Sequence, residues 1–326
     1  IVGLPNVGKS TLFNAITKAG AEAANYPFCT IEPNVGVVDV PDNRLQVLAD
    51  MFGSKRILPA AMRFVDIAGL VAGASKGEGL GNKFLSHIRQ VDAIAQVIRC
   101  FDDPNITHVS GSIDPIRDIE IINTELCLAD LDSVEKRKQR IEKIAKSGDK
   151  DARAELPILD RIIEGLGEAK PVRAQGLEEE ELEMIKELSL LTAKPSLYVA
   201  NISEDEVSDY SGNEYVKRVE EYAKAEGSGI VVVSARIESE IAELSDEEAK
   251  IFLGDLGLDE SGLTKLIKAS YALLGLINYF TAGEMEARAW TIVNGTKAPQ
   301  AAGKIHSDIE KGFIRAEIVS FADLEA

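Results

Sequence analysis

Eight residues near the N-terminus limit the possible folds of this chain more than any other feature. Residues 3–10 read Gly-Leu-Pro-Asn-Val-Gly-Lys-Ser and fit the spacing GxxxxGK[ST] of a phosphate-binding loop, or P-loop. An apolar segment precedes the motif, and a helical pattern follows it as far as Gly20. The motif therefore predicts a strand, a glycine-rich loop and a helix whose first amides face the phosphates of a nucleotide.

The pattern beyond the motif predicts a doubly wound α/β domain. Short runs rich in Val and Ile alternate with helical stretches, and several runs are continuously apolar, as in strands covered on both faces. The predicted strands are residues 1–4, 35–40, 63–66, 93–100, 195–200 and 230–234. The last helix of this domain is predicted at residues 261–276.

One connection in this domain is far too long for a simple crossover. Between the strands at 93–100 and 195–200, Asp114 and Pro115 form a helix start, with Asp114 as the N-cap. Apolar residues then recur at helical spacing on both sides of a turn at residues 147–149. The sequence therefore predicts an inserted antiparallel helical hairpin, or coiled-coil arm, at residues 114–191.

The insertion divides the α/β domain into residues 1–113 and 192–276, and the pattern changes again after residue 276. Short apolar runs at 276–281, 287–292 and 314–319 surround a helical stretch near 299–307. We expect a small α+β domain at residues 277–326 that is cut short by the end of the chain.

Composition excludes some classes of function. The net charge of −18 argues against non-specific nucleic-acid binding, which needs a positive surface potential. No apolar run approaches the roughly 20 residues that span a bilayer, so we expect no membrane association and a cytoplasmic protein. The three cysteines, Cys29, Cys100 and Cys127, show no paired spacing and are interpreted as free thiols.

The P-loop assigns roles to individual residues. We expect Lys9 to contact the β- and γ-phosphates and Ser10 to ligate Mg²⁺. Asp66 and Gly69 form a DxxG motif after a strand, with Asp66 near the metal and the Gly69 amide near the γ-phosphate. Thr30 is the candidate for the switch hydroxyl that completes the metal shell. The phosphate-contacting set is Asn6, Val7, Gly8, Lys9, Ser10 and Thr11.

The base-reading motif departs from that of GTPases, which carry NKxD after a strand. Residues 201–204 read Asn-Ile-Ser-Glu at the corresponding place, and Asn201, Ile202 and Glu204 are the predicted base contacts. Ser234 and Ala235 follow the last strand as the expected second base loop. Because the Asp of NKxD discriminates guanine from adenine by two hydrogen bonds, its replacement favours ATP, or relaxed use of ATP and GTP.

These motifs, in this order, resemble the YchF subfamily of Obg-related P-loop NTPases, known in eukaryotes as Obg-like ATPases. The resemblance includes residues 3–10, 26–30, 66–81, 201–204 and 234–235, and the inserted arm and C-terminal domain extend it over nearly the whole chain. It implies ATP preference, a coiled-coil insertion, a TGS domain of β-grasp shape, and association with ribosomes or translation factors.

The group that activates water is open at this stage. Leu70 occupies the position where many small GTPases have glutamine, so slow turnover is expected. Among the three histidines, His108 is the candidate base because its loop follows a central strand; Lys9 and Gly69 complete the catalytic set. Asn6 could also help to bind K⁺ beside the phosphates, with a purely backbone role as the alternative.

Three functions follow from these residues. The first is an ATP-hydrolysing switch that acts on the translation machinery. The second is a GTP-specific ribosome-assembly GTPase, and the third is a nucleotide-sensing adaptor with incidental hydrolysis. The basic residues at 136–146 either contact RNA or form a solvated helix face with i,i+4 pairs, and the sequence favours neither.

Overall fold

The structure is a computed structural model that describes residues 1–20, 34–67, 80–106 and 111–326, with the backbone alone at 80–83. Three predicted site residues lie outside the described ranges: Thr30, Gly69 and His108. Leu70 and Cys29 lie outside them as well.

Strands and helices alternate through most of the described chain, as the sequence pattern predicts. The strands are β1 (Val35–Asp39), β2 (Ile57–Leu58), β3 (Ala61–Val65), β4 (Ile94–Arg99), β5 (Ser196–Asn201), β6 (Gly229–Val233), β7 (Leu276–Ala282) and β8 (Ala287–Val293). The helices are α1 (Lys9–Ala19), α2 (Asn43–Phe52), α3 (Leu80–Arg89), α4 (Pro115–Lys146), α5 (Lys150–Gly167), α6 (Glu179–Ile185), α7 (Glu214–Glu226), α8 (Ala235–Ile241), α9 (Asp246–Asp255), α10 (Gly262–Leu273), α11 (Ala298–Ile305), α12 (Ser307–Lys311) and α13 (Phe321–Glu325).

The central sheet combines pairings between strands that are distant in sequence. Strands β4, β5 and β6 are parallel neighbours, and Val2 forms a parallel bridge to Gln96 on the free side of β4. On its other side, the N-terminal segment accepts a hydrogen bond from Ile67 N to Ile1 O at 3.1 Å, just after β3. Strand β1 closes this edge by antiparallel pairing with β3. The order across the sheet is therefore β1, β3, residues 1–4, β4, β5 and β6.

Helices cover both faces of this sheet. Alternate residues of β5 point to opposite sides, with Val199 in a core that includes Leu12 of α1 and Leu266 of α10. Tyr198 lies in a second core with Val216 of α7. Burial of both strand faces explains the continuously apolar strand sequences, and it confirms the predicted α/β class.

The long connection forms two packed helices, as predicted. Asp114 caps α4 by accepting a hydrogen bond from Arg117 N at 3.5 Å, and Pro115 occupies the first helical turn. Helix α5 packs against α4 and begins at an N-cap Asp149, whose side chain accepts from Ala152 N at 2.8 Å. Buried apolar residues between the helices form their own core, which includes Val134, Ile141, Leu159 and Ile162.

The C-terminal segment differs from the prediction at one strand. Strands β7 and β8 pair as an antiparallel hairpin, and α11 is the helix expected near 299–307. The third strand predicted at 314–319 is wrong, because residues 313–320 form no regular structure. An apolar run becomes a strand only when a neighbouring strand is available to pair with it. The side of β8 that faces away from β7 is already paired with β2, a parallel strand that belongs to the α/β domain.

Candidate nucleotide-binding site

The P-loop backbone has the left-handed turns that its motif requires. Asn6 has φ of 66° and Gly8 has φ of 92°, immediately before α1 begins at Lys9. A Cβ atom on Gly8 would lie 2.1 Å from Asn201 Nδ2, so glycine is required here for space as well as for conformation. Val7 is buried beneath the loop, whereas Ser10 and Thr11 are exposed at the start of the helix.

Lys9 and Asp66 meet at the centre of the site. The Lys9 ammonium forms an ion pair with the Asp66 carboxylate, and the two side chains are 10% and 18% exposed. Asp66 directly follows β3, and its backbone N donates to Asn34 O at 2.8 Å. The sheet thus brings together two predicted residues that are 57 positions apart.

The oxygen donors beside Lys9 fit a magnesium ion. Mg²⁺ prefers oxygen ligands and is commonly held by one or two side chains together with nucleotide phosphates and water. Ser10 supplies an exposed hydroxyl and Asp66 supplies a carboxylate, which is this donor chemistry. Among the described residues, no group of three or more His, Cys, Asp or Glu side chains is placed to hold a metal ion.

Asn201 connects the P-loop to the second base loop. Its side chain is buried, its Nδ2 donates to Val7 O at 2.9 Å, and its Oδ1 accepts from Ala235 N at 2.9 Å. Both ends of the amide are therefore occupied by backbone groups. The side chain therefore holds two loops together, and the base contact that the sequence predicts for Asn201 stays a prediction.

The remaining base-motif residues have different surroundings. Ile202 is buried, and its backbone N donates to Val233 O at 2.9 Å. Glu204 forms an ion pair with Arg236, from Oε2 to Nε at 2.6 Å. Ser234 is buried, and within the described ranges its hydroxyl has no hydrogen-bond partner. Ala235 is the first residue of α8, which packs against α1.

Two residues near this site were missed by the sequence analysis. Arg236 directly follows Ser234 and Ala235, the predicted second base loop. A basic residue at this place could have been predicted to pair with Glu204 of the first base loop. Glu238 is buried and accepts from Gly262 N at 2.8 Å and Leu263 N at 2.9 Å, which fixes the start of α10. Burial raises the pKa of its carboxyl above the ordinary value.

Arg99 organises the loop that leads towards His108. Its buried guanidinium donates to three backbone carbonyls, those of Phe101 at 3.1 Å, Ile106 at 2.9 Å and Asp103 at 3.2 Å. No sequence pattern predicted this role for Arg99.

The described cysteines are free, as predicted. Cys100 and Cys127 are buried and unpaired. Burial raises the pKa of both thiols to about 12, so neither is a thiolate near neutral pH. Within the described ranges, every helix is too short or too polar to cross a bilayer.

Comparisons with known proteins agree with this geometry. The family model described as 50S ribosome-binding GTPase matches residues 1–147, and the model for the C-terminal region of YchF GTPases, described as a protein of unknown function, matches residues 276–326. With its phosphate loop on a covered α/β sheet, the chain is a P-loop NTPase.

Similar proteins define the family more narrowly. The chain is 64% identical to the ribosome-binding ATPase YchF of Bacillus subtilis over 100% of this chain and 89% of that protein. It is 58% identical to the protein of that name from Escherichia coli O157:H7, over 99% of this chain and 88% of that protein. A solved structure of the Schizosaccharomyces pombe YchF GTPase has a TM-score of 0.88 at 43% identity, and the match covers 100% of this chain and 88% of that one. The chain belongs to the YchF family, which confirms the predicted resemblance.

Proposed function

We propose that this chain is a nucleotide-dependent switch that binds ATP with Mg²⁺, hydrolyses it slowly and acts on the ribosome. The observation that carries the proposal is the Lys9–Asp66 pair beneath a P-loop in its phosphate-wrapping conformation. The relatives named ribosome-binding ATPase support both the nucleotide and the partner.

The phosphate-binding residues would act through charge and orientation. With ATP bound, Lys9 would exchange the Asp66 carboxylate for β- and γ-phosphate oxygens, while Ser10 and Asp66 would hold the magnesium ion with Thr30. The metal would supply charge neutralisation at the phosphate oxygens. The backbone amides of residues 6–11 would contact the phosphates because they lie at the N-terminus of α1.

Hydrolysis also needs a group that accepts a proton from the attacking water. Leu70 offers no polar group, so we assign the proton-accepting role to His108 and the γ-phosphate contact to the Gly69 amide. Arg99 bonds to the carbonyls of Phe101, Asp103 and Ile106, and these residues precede His108 in the chain. Asn6 is a candidate K⁺ ligand, although its left-handed backbone also fits the purely conformational role, since asparagine tolerates that region better than most residues.

Base selection would depend on Glu204 and on the loop at Ser234 and Ala235. Asn201 and Ile202 would contribute by holding these segments in place, because their polar groups are bonded to backbone. A site that lacks a free NKxD aspartate loses its strongest preference for guanine, which supports ATP as the substrate.

The arm is a weaker candidate for RNA contact than its composition indicates. Three of its basic residues have acidic partners: Lys136 with Asp132 at 2.6 Å, Arg137 with Glu155 at 2.7 Å and Lys138 with Asp160 at 2.6 Å. This pairing supports the solvated-face interpretation for residues 136–138. An RNA contact would fall to the basic residues nearer the end of α4, which include Arg140 and Lys143.

The domain division is part of the same proposal. We assign residues 1–113 and 192–276 to the NTPase domain, 114–191 to the arm and 277–326 to the TGS-like unit. The separate apolar core between α4 and α5 supports an arm that packs as its own unit, and Ile119, Ile122 and Leu126 anchor the start of α4 in the cores of the α/β domain. A ribosome-associated switch of this kind would work in the cytoplasm.

The proposal is tested by the affinities of ATP and GTP with Mg²⁺, measured side by side by calorimetry. Lys9→Ala should abolish binding, whereas Lys18→Ala on the same helix should not, since Lys18 is an exposed residue paired with Glu243. Failure of the unmodified chain to bind either nucleotide would refute the proposal. Steady-state phosphate release with and without ribosomes then tests the partner.

A GTP-specific function is the second candidate, because one family model and the fission-yeast structure carry the word GTPase in their descriptions. The same titration decides between them, since tighter GTP binding would select it. An adaptor with incidental hydrolysis would instead bind and release ribosomes in the same way with ATP and with a non-hydrolysable analogue.

A further inference from the structure

The base-reading segment of this chain contains one ionisable side chain, that of Glu204. Among residues 201–204, the Asn201 amide is bonded at both ends to backbone groups, and Ile202 is an aliphatic residue buried in the domain. Discrimination between purines by side-chain charge in this segment therefore falls to Glu204.

A free carboxylate at this place would favour guanine. Guanine presents two donors, N1–H and its 2-amino group, which a carboxylate accepts together, whereas adenine presents an acceptor at N1 and has no 2-amino group. Glu204 is one methylene longer than the aspartate of NKxD, but it retains the same acceptor chemistry.

Glu204 is not free in this structure. Its Oε2 lies 2.6 Å from Arg236 Nε, and the same guanidinium nitrogen lies 3.6 Å from Glu240 Oε1, one turn further along α8. The arginine is therefore held between two carboxylates, and it joins the segment after β5 to the segment after β6. The neighbouring Ser234 hydroxyl is buried and has no hydrogen-bond partner among the described residues.

We propose that Arg236 is a specificity-determining residue that disfavours guanine by occupying the Glu204 carboxylate. A guanine base would have to displace the guanidinium before it could donate to Glu204, whereas adenine needs no acceptor there. This inference rests on the proposed nucleotide binding and explains how a chain with an acidic base motif can prefer ATP.

The size of the effect follows from exposure. The Arg236 side chain is 71% exposed and that of Glu204 is 35% exposed, so their attraction is screened by water and salt. Exposed pairs of this kind change equilibria by a small factor. We expect removal of the arginine to change the ratio of the GTP and ATP dissociation constants by about two- to fivefold.

The test is a double-mutant cycle on the full chain. Dissociation constants for ATP and GTP with Mg²⁺ are measured for the unmodified chain, Arg236→Ala, Glu204→Gln and the double variant. Arg236→Ala should lower the ratio Kd(GTP)/Kd(ATP) two- to fivefold, Arg236→Lys should restore most of it, and the double variant should show no gain over Glu204→Gln. The matched control is Arg218→Ala, which removes an exposed arginine paired with Asp114 at 2.9 Å.

Ionic strength gives a second readout of the same ion pair. Raising ionic strength should lower the ratio in the unmodified chain and leave it nearly constant in Arg236→Ala, because only the former has an ion pair to screen. Two results would overturn this inference but not the proposed function. One is an unchanged ratio in Arg236→Ala with intact ATP binding. The other is a double variant whose ratio differs from that of Glu204→Gln as much as the ratio of Arg236→Ala differs from that of the unmodified chain. Failure of the unmodified chain to bind either nucleotide would instead remove the proposed function.

Discussion

Replacing Asn201 with alanine removes both hydrogen bonds that join the P-loop to the loop before α8. Each bond is 2.9 Å long, and the residue is 4% exposed. A buried hydrogen bond contributes about 0.5–1.5 kcal/mol net, so the two together contribute about 1–3 kcal/mol. The Val7 carbonyl and the Ala235 amide would also lose their partner in the protein interior, which adds to the cost.

The loss should appear in nucleotide affinity without a change in base preference. If the bound state needs the two loops in register, about 1–3 kcal/mol corresponds to a roughly 5- to 150-fold weaker dissociation constant for ATP and GTP alike. Isothermal titration with Mg²⁺ measures both. A residue that discriminated between guanine and adenine would instead change the ratio of the GTP and ATP affinities.

Asn213 provides a matched control. It is also buried, and its amide likewise donates to a backbone carbonyl, Cys100 O at 2.9 Å, and accepts from a backbone amide, Val216 N at 3.0 Å. In urea, Asn213→Ala should lower the free energy of unfolding by about as much as Asn201→Ala does, but it should leave nucleotide affinity unchanged. Equal affinity in Asn201→Ala and the unmodified chain would refute the coupling of the two loops.

Three further variants test other features of the fold. Arg173→Ala should lower the free energy of unfolding in urea by about 3–5 kcal/mol, because it removes the cation paired with the buried Glu226 carboxylate, and the two side chains are 10% and 6% exposed. Lys186→Ala, at an exposed pair, should change it by less than about 1 kcal/mol, and equal effects would contradict this. Gly8→Ala should abolish ATP binding, since its Cβ would overlap the Asn201 amide, but Gly53→Ala, at φ 62° with open space around it, should bind normally. Burial raises the pKa of Glu238, so its contribution to stability is full below its unfolded pKa and is lost as pH rises through the folded value; the free energy of unfolding of the unmodified chain should therefore fall relative to that of Glu238→Gln as pH rises above the unfolded pKa, and a pH-independent difference would count against this.

The sequence predicted most of the fold because its signals are local. Spacing in residues 3–10 predicted the P-loop, and the observed φ angles at Asn6 and Gly8 are those the motif requires. Asp114 and Asp149 are both N-caps in the structure, where the sequence predicted a helix start and a turn. The run at 314–319 failed because apolar composition alone does not supply the neighbouring strand that a strand needs.

The roles of Thr30, Gly69 and His108 stay predictions, as they lie outside the described residues. For the described site residues, the sequence named positions but not all of their contacts. Asn201 was predicted from its place in the base motif, but its bonds to the Val7 carbonyl and the Ala235 amide were not. A side chain's role depends on which groups surround it, and a motif gives only its chemistry and its place along the chain.

The amino-acid sequence by itself determined the phosphate loop, most strands of the α/β sheet and the helical arm, because glycine spacing, caps and hydrophobic period act between residues close together in the chain. Only the tertiary structure decided that Glu204 pairs with Arg236, and that β2 joins the C-terminal hairpin. Those contacts join segments that are distant in sequence. Their partners exist only after the sheet has brought the segments together, and so no local pattern encodes them.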